Sequence, residues 1–126
     1  MQTEFDWSGF KVVLAFGGAD TLAGGAGADM FSFDSASEAA ADVIADFNRG
    51  EGDRIDLASV DAGTDPGHQD FYFTGNLGFF GYGRELRYEA VSGGVRLIGD
   101  IDGDTSADFS IYILGVSSIL AVDLII

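Results

Sequence analysis

Gly24-Gly25-Ala26-Gly27-Ala28-Asp29-Met30-Phe31-Ser32 is the stretch on which the fold turns. It fits, position by position, the nonapeptide G-G-x-G-x-D-x-U-x, with U a large apolar residue, that winds into calcium-loaded parallel β-rolls. The glycines let the backbone turn sharply with positive φ and point carbonyl oxygens at a cation. The aspartate adds the hard anionic oxygen that Ca²⁺ prefers. Phe31 then sits in a short strand and buries itself between two faces. Nine residues upstream, Ala15 to Ala23 repeats the pattern in worn form, keeping Gly18, Asp20 and the apolar Leu22. A further step back, Asp6 to Leu14 keeps only the apolar Val13. A flexible linker is the alternative reading of a Gly-Gly-Ala-Gly run. It gives no reason for Gly18 and Gly27, Asp20 and Asp29, and Leu22 and Phe31 to stand nine apart.

The chain of 126 residues suits one domain with a real core. Its 47% hydrophobic and 13% aromatic content exclude a disordered polymer despite a net charge of −15. That charge, from 21 acidic against six basic residues, repels nucleic acid and anionic membrane surfaces. It also loosens the fold by self-repulsion unless cations neutralise it. No cysteine is present, so disulfides and thiolate metal sites are ruled out. The first seven residues have neither the basic nor the apolar region of a Sec signal peptide. The most apolar segment, Ile111 to Ile126, is broken by Gly115, Ser117, Ser118 and Asp123 and does not suit membrane insertion.

Along the chain, Lys11–Leu14 reads as a strand feeding the first turn, with Phe5, Trp7 and Phe10 placed to cap the open end. Ser35-Ala36-Ser37-Glu38 has the spacing of a capping box and predicts one helical turn. Asp42–Phe47 and Asp53–Leu57 alternate and read as two strands joined by a turn. Phe71–Thr74 is a further strand, followed by an aromatic, glycine-studded loop. Leu86–Ala90 and Val95–Ile98 form a hairpin about Ser92-Gly93-Gly94. Phe109–Leu114 is the next strand, and Ser117–Val122 reads as a helical turn capped by serine.

Between those last strands lie Asp100, Asp102, Asp104 and Asp108, the D-x-D-x-D-x-x-x-D spacing of a linear calcium loop. Four carboxylates with no cation among them repel one another unless they share an ion. An EF-hand is excluded, because Ile111 stands at position 12 and Thr105 at position 6. An acidic, solvated hairpin is the alternative. His68, the one histidine, sits in a Pro/Gly loop and reads as exposed and inert; no G-x-S-x-G elbow supports a triad around it. The aromatics of 71–82 read as core, with a carbohydrate-stacking platform as the other option. Arg84, Arg87 and Arg96 are expected to pair with carboxylates on the sheet surface.

Taken in order, GGAGADMFSF, DVIADF, GEGDRIDL, the F-x-F-T-G-N…G-R-ELRY segment and RLIGDIDGDTSADFSIYILG resemble the C-terminal domain of serralysin-type peptidases. That is a repeats-in-toxin module of bacterial type I secretion substrates, and the resemblance covers roughly residues 15–126. It implies an all-β fold in which a short parallel calcium β-roll continues into a β-sandwich. The chain then forms a single domain, with an N-terminal cap and roll turns over 1–34 and the sandwich over 35–126. It implies a non-catalytic module of a secreted, extracellular protein, with calcium ions and a type I transporter as partners. The closing Asp123-Leu124-Ile125-Ile126 resembles the family's uncleaved secretion signal; the alternative is that Leu124 and Ile126 complete an edge strand, which their alternation suits. No His-Glu-x-x-His is present, so the peptidase activity does not carry over. Two nonapeptides make one coil in such rolls, which places turns sharing an ion about 18 residues apart. The resemblance therefore implies ligands from backbone around Gly18, Gly24, Gly25 and Gly27 and from the side chains of Asp20, Asp29, Asp42 and Asp46. It sets Asp42 and Asp46 beside Asp29, and Glu38 beside Asp20; solvated strand ends are the alternative for Asp42 and Asp46. A carbohydrate-binding accessory domain of a polysaccharide-modifying enzyme is the second functional reading, and exposed aromatics in Phe71–Tyr82 are its mark.

Overall fold

A nonapeptide has room for one turn and one short strand, and such a strand buries a single large side chain. Stability must then come from stacking coil upon coil. The structure, a computed structural model, describes residues 2–7, 10–15, 20–35, 42–64 and 66–126. Its first strands are Gln2–Trp7 (β1), Phe10–Ala15 (β2), Thr21–Leu22 (β3), Ala28–Ser32 (β4), Asp42–Ile44 (β5) and Arg54–Asp56 (β6). From β2 to β6 the chain alternates between two sheets, with β2, β4 and β6 parallel in one and β3 and β5 parallel in the other. Val13 lies opposite Phe31, a step of 18 residues, as two nonapeptides require. Later coils are longer: Phe31 lies opposite Ile55 and Leu22 opposite Ile44, steps of 24 and 22. Val13, Leu22, Phe31, Ile44 and Ile55 are all fully buried between the sheets. Each contributes roughly 1.5–3 kcal/mol of transfer free energy.

The remaining strands are Tyr72–Phe73 (β7), Glu85–Val91 (β8), Gly94–Asp100 (β9), Phe109–Leu114 (β10) and Leu124–Ile125 (β11). Strands β8, β9 and β10 form an antiparallel meander with β7 parallel on its edge. Strict alternation along β10 buries Phe109, Ile111 and Ile113. The meander then joins the roll through its own sheets. Strand β10 lies parallel to β5, with Ile113 opposite Ile44, and β11 lies parallel to β6, with Leu124 opposite Ile55. One apolar core thus runs through both parts. The fold is all-β, with two sheets of five and six strands among the described residues.

Several local expectations need correction. Strands β5 and β6 are present, but in opposite sheets rather than as a hairpin, so 45–53 is a turn of the winding. The winding therefore continues past residue 34, where the sequence placed its end. Serine does not cap the turn near the C-terminus. A 3-10 turn forms over Ala121–Asp123, and the Asp123 carboxylate accepts the Leu120 N–H at 2.8 Å. The helical turn expected from Ser35 falls largely on 36–41, outside the described residues.

Candidate metal centres

Register dictates which acids meet. The residue just before each roll strand's central pair is Lys11, Asp20, Asp29, Asp42 and Asp53 in turn. Lys11 is opposite Asp29, and the Asp29 N–H donates to Asp53 Oδ1 at 2.9 Å. On the other edge, the Asp20 N–H donates to Asp42 Oδ1 at 2.7 Å. Asp42 therefore belongs with Asp20 and not with Asp29. The longer second coil is the reason, because it advances the chain past the 18-residue step before the next aspartate arrives. Gly18 and Glu38 lie outside the described residues.

Around Asp29 the turn 23–28 stacks on 45–53. Asp46 accepts the N–H groups of Gly24 at 2.9 Å and Gly25 at 2.7 Å. Glu51 Oε2 accepts the Gly27 N–H at 2.7 Å, and Asp53 Oδ2 accepts that of Asn48 at 2.8 Å. These glycines thus present N–H groups to the next coil's carboxylates, while the Gly24 carbonyl accepts from the Lys11 ammonium at 2.7 Å. Asp29 itself is 1% exposed, and neither carboxylate oxygen has a hydrogen-bond partner among the described residues. A Cβ at Gly24 would collide with that carboxylate, so only glycine leaves it room. Burial first, then the Asp53 charge, pushes the Asp29 carboxyl up to about 6, with Lys11 pulling the other way and Asp46 and Glu51 adding to the rise. Burial also raises Asp53, against the hydrogen bonds from Asn48 and Asp29. A buried carboxylate with two bare oxygens, within electrostatic reach of Asp46, Glu51 and Asp53, is a group that a hard divalent cation would satisfy, although among the described residues only the Asp100 loop brings several carboxylates within 4.8 Å of one another.

Glu51 and Asp53 were not among the residues singled out from the sequence. The signal was there: Asp42-Val43-Ile44 and Asp53-Arg54-Ile55 repeat the Asp-x-apolar triplet of Asp20-Thr21-Leu22 and Asp29-Met30-Phe31.

The second acidic group is the β9–β10 loop. Asp100, Asp102, Asp104 and Asp108 each bring a carboxylate oxygen within 4.8 Å of the others. Asp100 is fully buried and accepts the N–H groups of Gly103 and Thr105, both at 2.9 Å. Asp108 accepts from Ile101 at 2.6 Å, Asp102 from Asp104 at 3.2 Å, and Asp104 from Ser106 at 2.9 Å. Burial raises the Asp100 carboxyl, opposed by its two backbone hydrogen bonds. The carboxylates thus fold the loop on themselves and keep one oxygen of each within 4.8 Å of the others, near enough to share an ion.

Two stacks of acids on a two-sheet winding, with a third acidic loop beyond it, describe a known kind of domain. The family model described as Peptidase M10 serralysin C terminal matches residues 5–126. The chain belongs to this family. No curated protein matches it. The match is to the non-catalytic C-terminal part of serralysin-type proteases, which are secreted proteins, and not to their catalytic domain.

Two further features of this serralysin C-terminal domain were not legible beforehand. The aromatic segment is only partly core. Phe71 is buried, but Tyr72 is 62%, Phe80 58% and Tyr82 86% exposed. The Phe80 and Tyr82 rings stack at 6.3 Å. Glu85, buried in β8, shapes their loop by accepting the N–H groups of Phe80, Gly81 and Tyr82 at 2.8–3.1 Å. Arg84 lies over the Tyr72 ring at 5.3 Å, whereas Arg87 and Arg96 both meet Glu89 as expected. His68 is exposed, 3.7 Å from Asp70. The second feature is the tail. Asp123 is fully buried and forms a two-pronged ion pair with Arg49, both contacts at 2.7 Å, while Arg49 also reaches the Ser118 carbonyl at 3.1 Å.

Proposed function

We propose that this chain is a non-catalytic, calcium-binding module of a secreted bacterial protein, one that folds outside the cell when calcium binds. It acts as one unit over 1–126, and its closing Asp123-Leu124-Ile125-Ile126 serves as an uncleaved signal for a type I transporter. The observation that carries the calcium reading is Asp29, a buried carboxylate with no hydrogen-bond partner for either oxygen among the described residues. Asp29, Asp46, Glu51 and Asp53 would hold one ion, Asp20 and Asp42 would contribute to a second on the opposite edge, and Asp100, Asp102, Asp104 and Asp108 to a third. Calcium supplies charge neutralisation there and joins neighbouring turns, which a chain of net charge −15 needs in order to stack them. Circular dichroism and melting in calcium and in chelator test the reading. Ordering of the fold and a raised melting temperature in calcium are expected; identical curves with metal content confirmed as nil would sink it.

A second reading rests on Tyr72, Phe80 and Tyr82. Exposed rings, two of them stacked, suit the apolar face of a sugar, and the strong negative charge favours neutral over acidic glycans. A glycan array with Tyr82→Ala as control tests it. Binding that the variant loses supports a polysaccharide partner, and an array blank in calcium removes it.

A further inference from the structure

Lys11 occupies the repeat position that aspartate holds in every later coil of the roll, and it lies in register with Asp29. Its ammonium donates to the Gly24 carbonyl at 2.7 Å, inside the turn that stacks on the acids of 45–53. Among the described residues, the strand beside β2 on this side is antiparallel and not another coil of the winding. Strand β1 returns antiparallel on β2, with Trp7 opposite Phe10 and Asp6 opposite Lys11. The Asp29 turn therefore has another coil's acids on one flank and a strand-borne cation on the other. We propose that Lys11 is a tethered cation for the Asp29 turn, doing at the first coil what a metal ion would do between the next two. Its ammonium holds the Gly24 carbonyl and offsets part of the charge of Asp29, Asp46, Glu51 and Asp53. The turn thus keeps its shape without metal, and an incoming divalent ion meets a resident positive charge. Lys11 lowers both the metal dependence of the fold and the calcium affinity of this turn. The affinity half of the proposal rests on the calcium reading above; the metal-free half does not.

The test uses the whole chain with Lys11→Met, which keeps the aliphatic stem, and Lys11→Arg, which keeps the charge. Melting is read in excess chelator and in millimolar calcium, and calcium affinity by calorimetry. In chelator the Met variant should melt several degrees below wild type, and calcium should close that gap. Calcium should bind the Met variant at least about threefold tighter, since a like charge beside the same turn has gone. The Arg variant should follow wild type throughout. If the Met variant unfolds in chelator, refolding on calcium addition supports the proposal, and failure to fold in either condition overturns it. A gap of equal size with and without calcium, or an unchanged affinity, also overturns it. Should wild type neither bind calcium nor shift its melting, the calcium reading fails. The chelator arm then decides Lys11 alone: a low melt restored by Arg supports it, and no change in the Met variant overturns it.

Discussion

Asp29 concentrates the tension of the metal-free fold in one side chain. A carboxyl raised from 3.8 to about 6 binds its proton more tightly folded than unfolded. Its contribution to stability is therefore greatest at acid pH and is lost as pH climbs from the unfolded value through the folded one. The loss is at most ~3 kcal/mol, and burial of Asp53 and Asp100 acts in the same sense. Metal-free protein should thus melt higher at pH 5 than at pH 7, and calcium should flatten or reverse that trend; scanning calorimetry across this range checks it. Asp29→Asn separates the two roles of the residue. Metal-free, it should melt several degrees above wild type at pH 7, because the buried charge is gone, yet respond less to calcium. A lower metal-free melt with an undiminished calcium response would contradict this account. Among alanine variants, Asp29→Ala should weaken calcium binding more than Asp20→Ala, since only the Asp29 turn has its full glycine set and three further acids about it. Equal affinities by calorimetry would count against that ranking.

The turn 45–53 touches both the Asp29 turn and the C-terminal segment. Its Asp46, Glu51 and Asp53 face the Asp29 turn, while Arg49, from the same few residues, clasps the buried Asp123. Removing one member of a buried pair leaves the other charge without its partner, which costs more than the pair contributes. Arg49→Met should lower stability by about 2–4 kcal/mol in urea melts, discounted for the partial exposure of the arginine. The double variant Arg49→Met with Asp123→Leu should lose less than the sum of the single variants. Additive losses would mean that the clasp carries no coupling.

At the scale of the whole molecule, two sheets are each begun by the roll and finished by later strands, so an ion held at the turns would stabilise the entire chain. Each site held at a hundred times its dissociation constant adds about 2.7 kcal/mol, a large share of a small domain's roughly 5–15 kcal/mol. The same closure hides the tail, because β11 is paired to β6 and Asp123 is buried. Under the proposed export role, a transporter would have to read the tail before the domain folds. Deleting residues 123–126 should abolish export by a co-expressed type I system. Arg49→Met, which leaves the tail intact while loosening it, should be exported as wild type is. Export of the truncated chain would remove the signal reading.

The nine-residue spacing of Asp20 with Asp29 and Leu22 with Phe31 was enough to specify the winding, because a turn and a one-residue apolar anchor are local properties. Alternation likewise revealed β8, β9 and β10, and the Asp100–Asp108 spacing revealed the acidic loop. Partners across coils were another matter. Which aspartate meets Asp29 depends on how many residues the intervening coil spends before rejoining the sheet, and 22 to 24 instead of 18 moved Asp42 to the far edge and brought Asp53 in. The exposure of Tyr82 depends on Glu85 gathering three backbone N–H groups, and the burial of Asp123 on an arginine 74 residues away. Sequence by itself determined the repeat, the fold class and the chemical character of the turns. Only the tertiary structure decided the pairings, because charge and burial at each site are set by groups that the chain brings together from distant coils.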